Sequence, residues 1–392
     1  MKRSDLFGTD SPTRWPGEVV MTLGDIERSF APSATFTVGV EEELMLLDER
    51  TLQPAPVNER LLDRLHGDGR FNLELIASQI EIVSPVLASA DLVAGQLAEC
   101  RARLAAAAET AGGVVLAAAG VNPTAQAPWE VTQKPRYQAH EREYRWVVTE
   151  CAHTFGFHVH VAVPGAERAL AVFNALRSYI PEVAALAANA PFYRGRDTGL
   201  CTVRPKLTEA FGRSGVPPVL RSWCDFVDIL EWGRRSGSFP NPTHLWWDIR
   251  PNASYGTLEM RIADAQTRPE HAAAIAAVVQ CLCARLAARH DAGEQLAVHP
   301  SERISENRWR AIRHGLRGWM ADLDTGDAEP TRRRLLRLVD ELGDVGHELD
   351  AGRGLAHART LIAGNGADRQ RAIAASGGLE GLVPWLVCET NR

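Results

Sequence analysis

Most of the short motifs by which chemistry is commonly read from a chain are missing here. There is no GxxxxGK[ST] loop, no GxGxxG set between a strand and a helix, no GxSxG elbow and no HExxH helix. Cysteine offers no framework either: seven are scattered along the chain without a CxxC, and only Cys281 and Cys283 lie close together. That pair falls in an Ala/Val-rich helical stretch, where side chains two apart point away from each other. An odd, dispersed set excludes a disulfide scaffold, and all seven read as small buried thiols of a cytoplasmic protein. No apolar run approaches the roughly 18–20 residues of a membrane span. Met1–Pro16 lacks the apolar core of a signal peptide, so no membrane partner is expected. Basic excess is absent as well: the formal charge of −6 leaves no general electrostatic footprint for nucleic acid, although a local basic cleft stays open.

What is present is ordinary globular composition, 45% hydrophobic and 23% charged over 392 residues, with ample length for a large core. Residues 1–34 show no sustained periodicity and read as a loosely ordered lead-in. Residues 35–385 carry neither a repeat nor a low-complexity linker, which favours a single domain. Strands are expected at 35–47, within 71–84, and at 114–119, 155–163, 244–250 and 257–263. Helices are expected at 57–65, 89–111, 167–190, 219–234, 305–319, 331–342 and 355–362, then a tail. A further Ala-rich helix runs to about Arg289, opened by a capping box of Thr267 and Glu270 with Pro269 in its first turn.

Strand alternation carries the strongest signal, because residues two apart share a face of the sheet. Glu41 and Glu43 oppose Val38, Val40 and Leu44, which leaves Glu42 on the apolar side; Glu81 opposes Ile80 and Ile82. His158 and His160 oppose Phe155, Phe157, Val159 and Val161, while Glu259 and Arg261 oppose Leu258, Met260 and Ile262. For any single such strand a solvated sheet face is the better explanation. Four of them, offering Glu and His with one Arg and no Lys, fit a different purpose. Clustered carboxylates repel and are held together by cations, and oxygen-rich sites with imidazole suit Mg²⁺ or Mn²⁺. Metals bridging phosphate oxygens beside an arginine suit a nucleoside triphosphate.

Gly39–Glu43, Gln79–Glu81 running into Ser84-Pro85, Gly156–His160 and Thr257–Arg261 resemble, in this order, motifs of the bacterial type 2 glutamate–cysteine ligases, or carboxylate–amine ligases. Arg194-Gly195, Asp197–Gly199, Arg204, Trp246–Pro251 and Glu306–Ala311 extend the resemblance across roughly 35–380. Ser84 stands where the common family form has Thr and keeps the hydroxyl. The last strand also resembles the closing metal strand of glutamine synthetase, an analogy of fold. The resemblance implies an α+β fold, a curved and mainly antiparallel sheet with helices packed on its convex face and the site in the concavity. It implies ATP and Mg²⁺ or Mn²⁺ as cofactors, with metal held by Glu41, Glu43, Glu81, His158 and Glu259. His160 becomes a metal or phosphate contact, Arg261 the γ-phosphate contact, and Arg250 a second phosphate or substrate contact. Arg194, Asp197 and Arg204 fall in a loop that shapes the amino-acid pocket or a lid, unless they are plain surface residues. Trp246, Trp247 and Trp309 read as core aromatics.

The implied reaction phosphorylates a carboxylate and lets an amine displace the phosphate, giving an amide. The partners are then a small carboxylate and a small amine, with a homodimer compatible with the group. Three rivals stay open at this point: a phosphotransferase on the same sheet, a metal-dependent hydrolase, and a catalytically silent ligand-binding protein. The last would be favoured by loss of a metal-strand carboxylate, and none is lost.

Overall fold

Alternation along the strands decides which side of the sheet becomes core. The computed structural model describes residues 20–31 and 35–392. Its main sheet contains β1 (Val38–Asp48), β2 (Phe71–Leu73), β3 (Gln79–Val83), β4 (Val114–Ala117), β5 (Phe157–Ala162), β6 (Ile249–Asn252) and β7 (Thr257–Met260). The strand order is β6-β7-β5-β1-β3-β2, with β4 beside the second half of β1, and every pairing is antiparallel.

Val38, Val40, Leu44, Ile82, Val159, Val161, Leu258 and Met260 share one buried cluster with residues of helices Val93–Thr110, Ala166–Leu176 and Pro269–Asp291. Each fully buried aliphatic side chain there contributes about 1.5–3 kcal/mol by leaving water. This is the expected α+β architecture, with the helices behind the sheet. Glu42 sits wholly buried within that apolar face and is held by Arg101 at 2.6 Å. Arg101 also donates to the Gln266 and Thr267 carbonyls, tying β1 to the chain that follows β7.

Along β1, Met45 and Leu47 share the face of Glu41 and Glu43 but join a second cluster with Val383 and Leu386 of the C-terminal helix Leu382–Thr390. The concave face is thus dry beside β4 and polar beside β5 and β3. Phe155 belongs to this second cluster and not, as strict alternation predicts, with Phe157, because regular strand geometry begins only at Phe157.

Other expectations need correction. Helix Pro269–Asp291 passes for a membrane span by length and composition, although it holds no continuous apolar run of that length, and 89% of its most apolar 18-residue stretch is buried within the protein. Its N-cap is Arg268, and Thr267 makes no capping box: the Thr267 hydroxyl instead donates to the Ala118 carbonyl at 3.0 Å. The expected helix at 167–190 breaks into Ala166–Leu176 and Ile180–Ala187, with Pro181 in the first turn of the second. The tail is helical, through Gly366–Gly377 and Leu382–Thr390. Helix Pro135–Tyr144 lies where none was expected. Five cysteines are buried and all seven are free, but Cys224 and Cys388 are exposed. Within the expected lead-in, Leu23–Ser29 is a helix capped by Thr22 and Asp25, with Ile26 and Phe30 fully buried; residues 1–19 lie outside the described residues.

Candidate active site

Register converts the alternating strands into one polar row across the sheet. Glu81 stands opposite Glu43, Glu41 opposite His158, His160 opposite Glu259, and Glu259 opposite Arg250. Directly opposed residues of an antiparallel pair lie on the same face. The row forms the floor of an open basin of about 730 Å³, walled by Tyr137, Phe211, Trp246 and Tyr255 among others.

The hydrogen bonds sort these groups. His158 Nδ1 lies 2.9 Å from Glu41 Oε2, and His160 Nε2 lies 3.1 Å from Glu41 Oε1. His160 Nδ1 meets the Thr257 hydroxyl at 3.0 Å. The Gly156 amide donates to Glu43 Oε2 at 2.6 Å. Gly156 is required by close approach: a Cβ there would stand 2.4 Å from Arg204 Nη2 and 2.7 Å from His158 Nε2. Glu259 receives Arg250 at 2.8 Å and is also paired with Arg261. Arg250 is locked from behind by the carbonyls of Pro242, Thr243 and Leu245. Arg204 donates to the Arg261 and Ile262 carbonyls, while its buried Nε has no partner among the described residues.

The two ends of the row differ in electrostatics. Burial opposes ionisation of Glu259, yet Arg250 and Arg261 hold its carboxyl far below the usual range. Burial likewise opposes Glu41, and hydrogen bonds from His158 and His160 outweigh it, leaving Glu41 well below its ordinary value. Toward β2 and β3 the balance reverses. Burial, reinforced by neighbouring carboxylates, pushes Glu74 up to about 8 and Glu81 well above its ordinary value. The imidazoles split too: burial, then Arg261, lowers His158, while Glu259 and Glu41 raise His160 against burial.

The donor set fits divalent cations. Ligand atoms of Glu41, His160 and Glu259 all lie within 4.8 Å of one another. If His158 Nδ1 donates to Glu41, the lone pair at Nε2 is left 4.0 Å from Glu43 Oε1, a gap one cation spans with two bonds of ~2.0–2.1 Å. Carboxylates crowded enough to retain protons near neutrality are what a bound cation would relieve.

Of the residues singled out from the sequence, Glu41, Glu43, Glu81, His158, Arg204, Arg250 and Arg261 line the basin, with His160 and Glu259 just beneath, both buried. Arg194 and Asp197 do not line it: Arg194 pairs with Glu150, and Asp197 with Arg371 at 2.9 Å. Trp246 lines the basin, Trp247 is buried and Trp309 is exposed, so the reading of all three as core aromatics holds only for Trp247. Glu74, Arg136 and Tyr137 were missed. Glu74 is seven residues before Glu81 and reaches it only through the turn between β2 and β3. Pro135 at the first turn of helix Pro135–Tyr144 was the available signal for the wall bearing Arg136 and Tyr137.

An antiparallel sheet backed by helices, with a carboxylate–imidazole–arginine row in its concavity, defines a ligase sheet of the glutamate–cysteine ligase kind. Solved structures share the fold. A Francisella tularensis glutamate–cysteine ligase in complex with AMP aligns at TM-score 0.62 and 10% identity over 92% of this chain and 89% of that one. A bifunctional glutathione synthetase from Pasteurella multocida aligns at TM-score 0.63 and 12% identity, over 94% of this chain and 53% of that one. In sequence, the profile of Glutamate-cysteine ligase family 2 (GCS2) matches residues 37–383. A Rubrobacter xylanophilus protein provisionally named glutamate–cysteine ligase 2-3 is 39% identical over 92% of this chain and 99% of its own. A glutamate–cysteine ligase of Natronomonas pharaonis is 34% identical over 94% and 99%. This chain belongs to glutamate–cysteine ligase family 2 and is a carboxylate–amine ligase.

Proposed function

We propose that the protein is an ADP-forming ligase that phosphorylates a small carboxylate with ATP and passes the acyl group to an amine, with glutamate and cysteine the first pair to test. Residues 35–385 act as one catalytic unit, in the cytoplasm, where ATP is available and thiols stay reduced. The carrying observation is the crowded carboxylate row beside Arg250 and Arg261, on one face of one sheet.

Two divalent cations held among Glu41, Glu43, Glu74, Glu81, His158, His160 and Glu259 would neutralise the row and draw phosphate oxygens onto it. Arg250, fixed by three carbonyls and Glu259, holds Glu259 in place and keeps positive charge at the β6 end. The Arg261 guanidinium lines the basin, paired with Glu259, and it stabilises charge on the transferring phosphoryl group. A carboxylate oxygen attacks the γ-phosphorus and ADP leaves. The amine then attacks the acyl carbon and phosphate departs, because phosphate is a far better leaving group than oxide. Arg204, which lines the basin, anchors the anionic end of the acid substrate. Glu42 takes no part as a base, since it faces the core and is bound to Arg101.

The test is ADP release from Mg²⁺ and ATP with a panel of acids and amines, beside Glu259→Gln. Release that requires both an acid and an amine and vanishes in the variant fits a ligase. Release with one acceptor and a stable phosphorylated product would instead fit a phosphotransferase.

A further inference from the structure

Tyr255 stands at the rim of the basin. It sits in the turn between β6 and β7 and is 72% exposed, so its ring face is open to a ligand entering the basin. Its described ring contact is an edge-on approach to His160, with centroids 6.1 Å apart and planes at 79°. Arg250, Asn252, Ser254 and Tyr255 all line the basin. The obvious competitor, Trp246, already has Phe211 at 5.3 Å, Tyr144 at 5.5 Å and the Arg213 guanidinium at 5.3 Å around its ring.

The turn is held from outside the sheet. Gly256 has φ +65, and a Cβ there would lie 2.1 Å from the Ser29 carbonyl oxygen, so helix Leu23–Ser29 abuts the turn directly. That helix is anchored in turn: Phe30 stacks on Trp223 at 5.2 Å, and the Phe30 carbonyl accepts from the Gly165 amide at 2.6 Å. The segment that looked unstructured in sequence therefore braces the turn carrying Tyr255.

We propose that Tyr255 is the nucleobase platform of the site: a purine base stacks on its exposed ring while the phosphates run inward past Arg250 and Arg261 to the carboxylate row. The inference rests on the ATP-dependent reading above and adds the polarity of the nucleotide within the basin. The carboxylate and amine substrates then occupy the part of the basin away from Tyr255.

The experiment titrates the full chain, Tyr255→Ala and Tyr255→Phe with ATP and separately with inorganic tripolyphosphate, both in Mg²⁺. Base–aromatic stacking is lost only in the alanine variant, so its Kd for ATP rises about tenfold or more while tripolyphosphate binding stays within about twofold. Tyr255→Phe keeps the platform and binds ATP like the wild type. Equal ATP affinity in wild type and Tyr255→Ala, or an equal loss for both ligands, overturns the platform alone. A wild-type protein that binds neither ligand overturns the ATP-dependent reading together with it.

Discussion

In metal-free protein the burial of Glu74 beside Glu43 and Glu41 makes stability depend on pH in an unusual direction. Glu74 moves from an ordinary 4.5 to about 8 because burial and neighbouring carboxylates disfavour its charge. The folded chain therefore keeps a proton that the unfolded chain releases, and stability present below pH 4.5 is lost as pH rises through about 8. The gap, at ~1.36 kcal/mol per pH unit, bounds the loss at ~5 kcal/mol. Glu74 keeps some solvent contact, and screening reduces the effect to a few kcal/mol. For a chain of 392 residues that is about 2–4 °C in Tm. Glu41 and Glu259, depressed below their ordinary values, contribute stability that is lost only as pH falls, outside this window. Bound Mg²⁺ favours the charged carboxylates and should remove the slope. The assay is thermal unfolding from pH 5 to 8.5, in chelator and in Mg²⁺, read as the difference in Tm between wild type and Glu74→Gln, because His153, His244 and His271, lowered to about 3 by burial, add stability of their own as pH rises to about 6.5. Relative to Glu74→Gln, the wild type in chelator loses stability toward pH 8 and gains more from Mg²⁺. A difference indifferent to both pH and Mg²⁺ would refute the crowding argument.

Further perturbations separate the parts of the site. Glu259→Gln leaves Arg250 and Arg261 without their buried carboxylate, and we expect ADP release to fall by at least ~100-fold, read by a coupled assay. Gly156→Ala drives a methyl into Arg204 and His158, so turnover should drop about 100-fold from misplacement while Tm, read by calorimetry, changes little. Arg101→Met strands the buried Glu42 charge and should cost about 3–5 kcal/mol in denaturant unfolding, much of it recovered when Glu42→Leu is added. Arg204→Ala should raise KM for the acid substrate more than it lowers kcat; the reverse pattern would remove Arg204 from acid binding.

Much of this site was legible because a strand's period is two. Once Glu41, Glu43, Glu81, His158 and Glu259 alternate with aliphatic residues, antiparallel register places them on one face, as the pairings do. Groups outside strands carried no such signal. Glu74 lies in a loop, and Arg136 and Tyr137 lie on a helix whose position depends on tertiary packing. The Thr267 capping box failed because the helix starts one residue later, at Pro269 with Arg268 as N-cap, and the Thr267 hydroxyl turns into the core, where it donates to the Ala118 carbonyl and accepts from the Asn189 side-chain amide. Helix Leu23–Ser29 was invisible because seven residues give too short a period to read, and its order comes from Ile26 and Phe30 packing into the core.

The central claim is that the carboxylate row serves phosphorylation of a substrate acid. It is tested most directly with ¹⁸O-labelled carboxylate, glutamate first or whichever acid supports ADP release, together with ATP, Mg²⁺ and the amine. An acyl phosphate transfers one labelled oxygen from the acid to the inorganic phosphate released with the amide, and mass spectrometry of that phosphate should show it in every turnover. Amide formation accompanied by unlabelled phosphate would contradict the account.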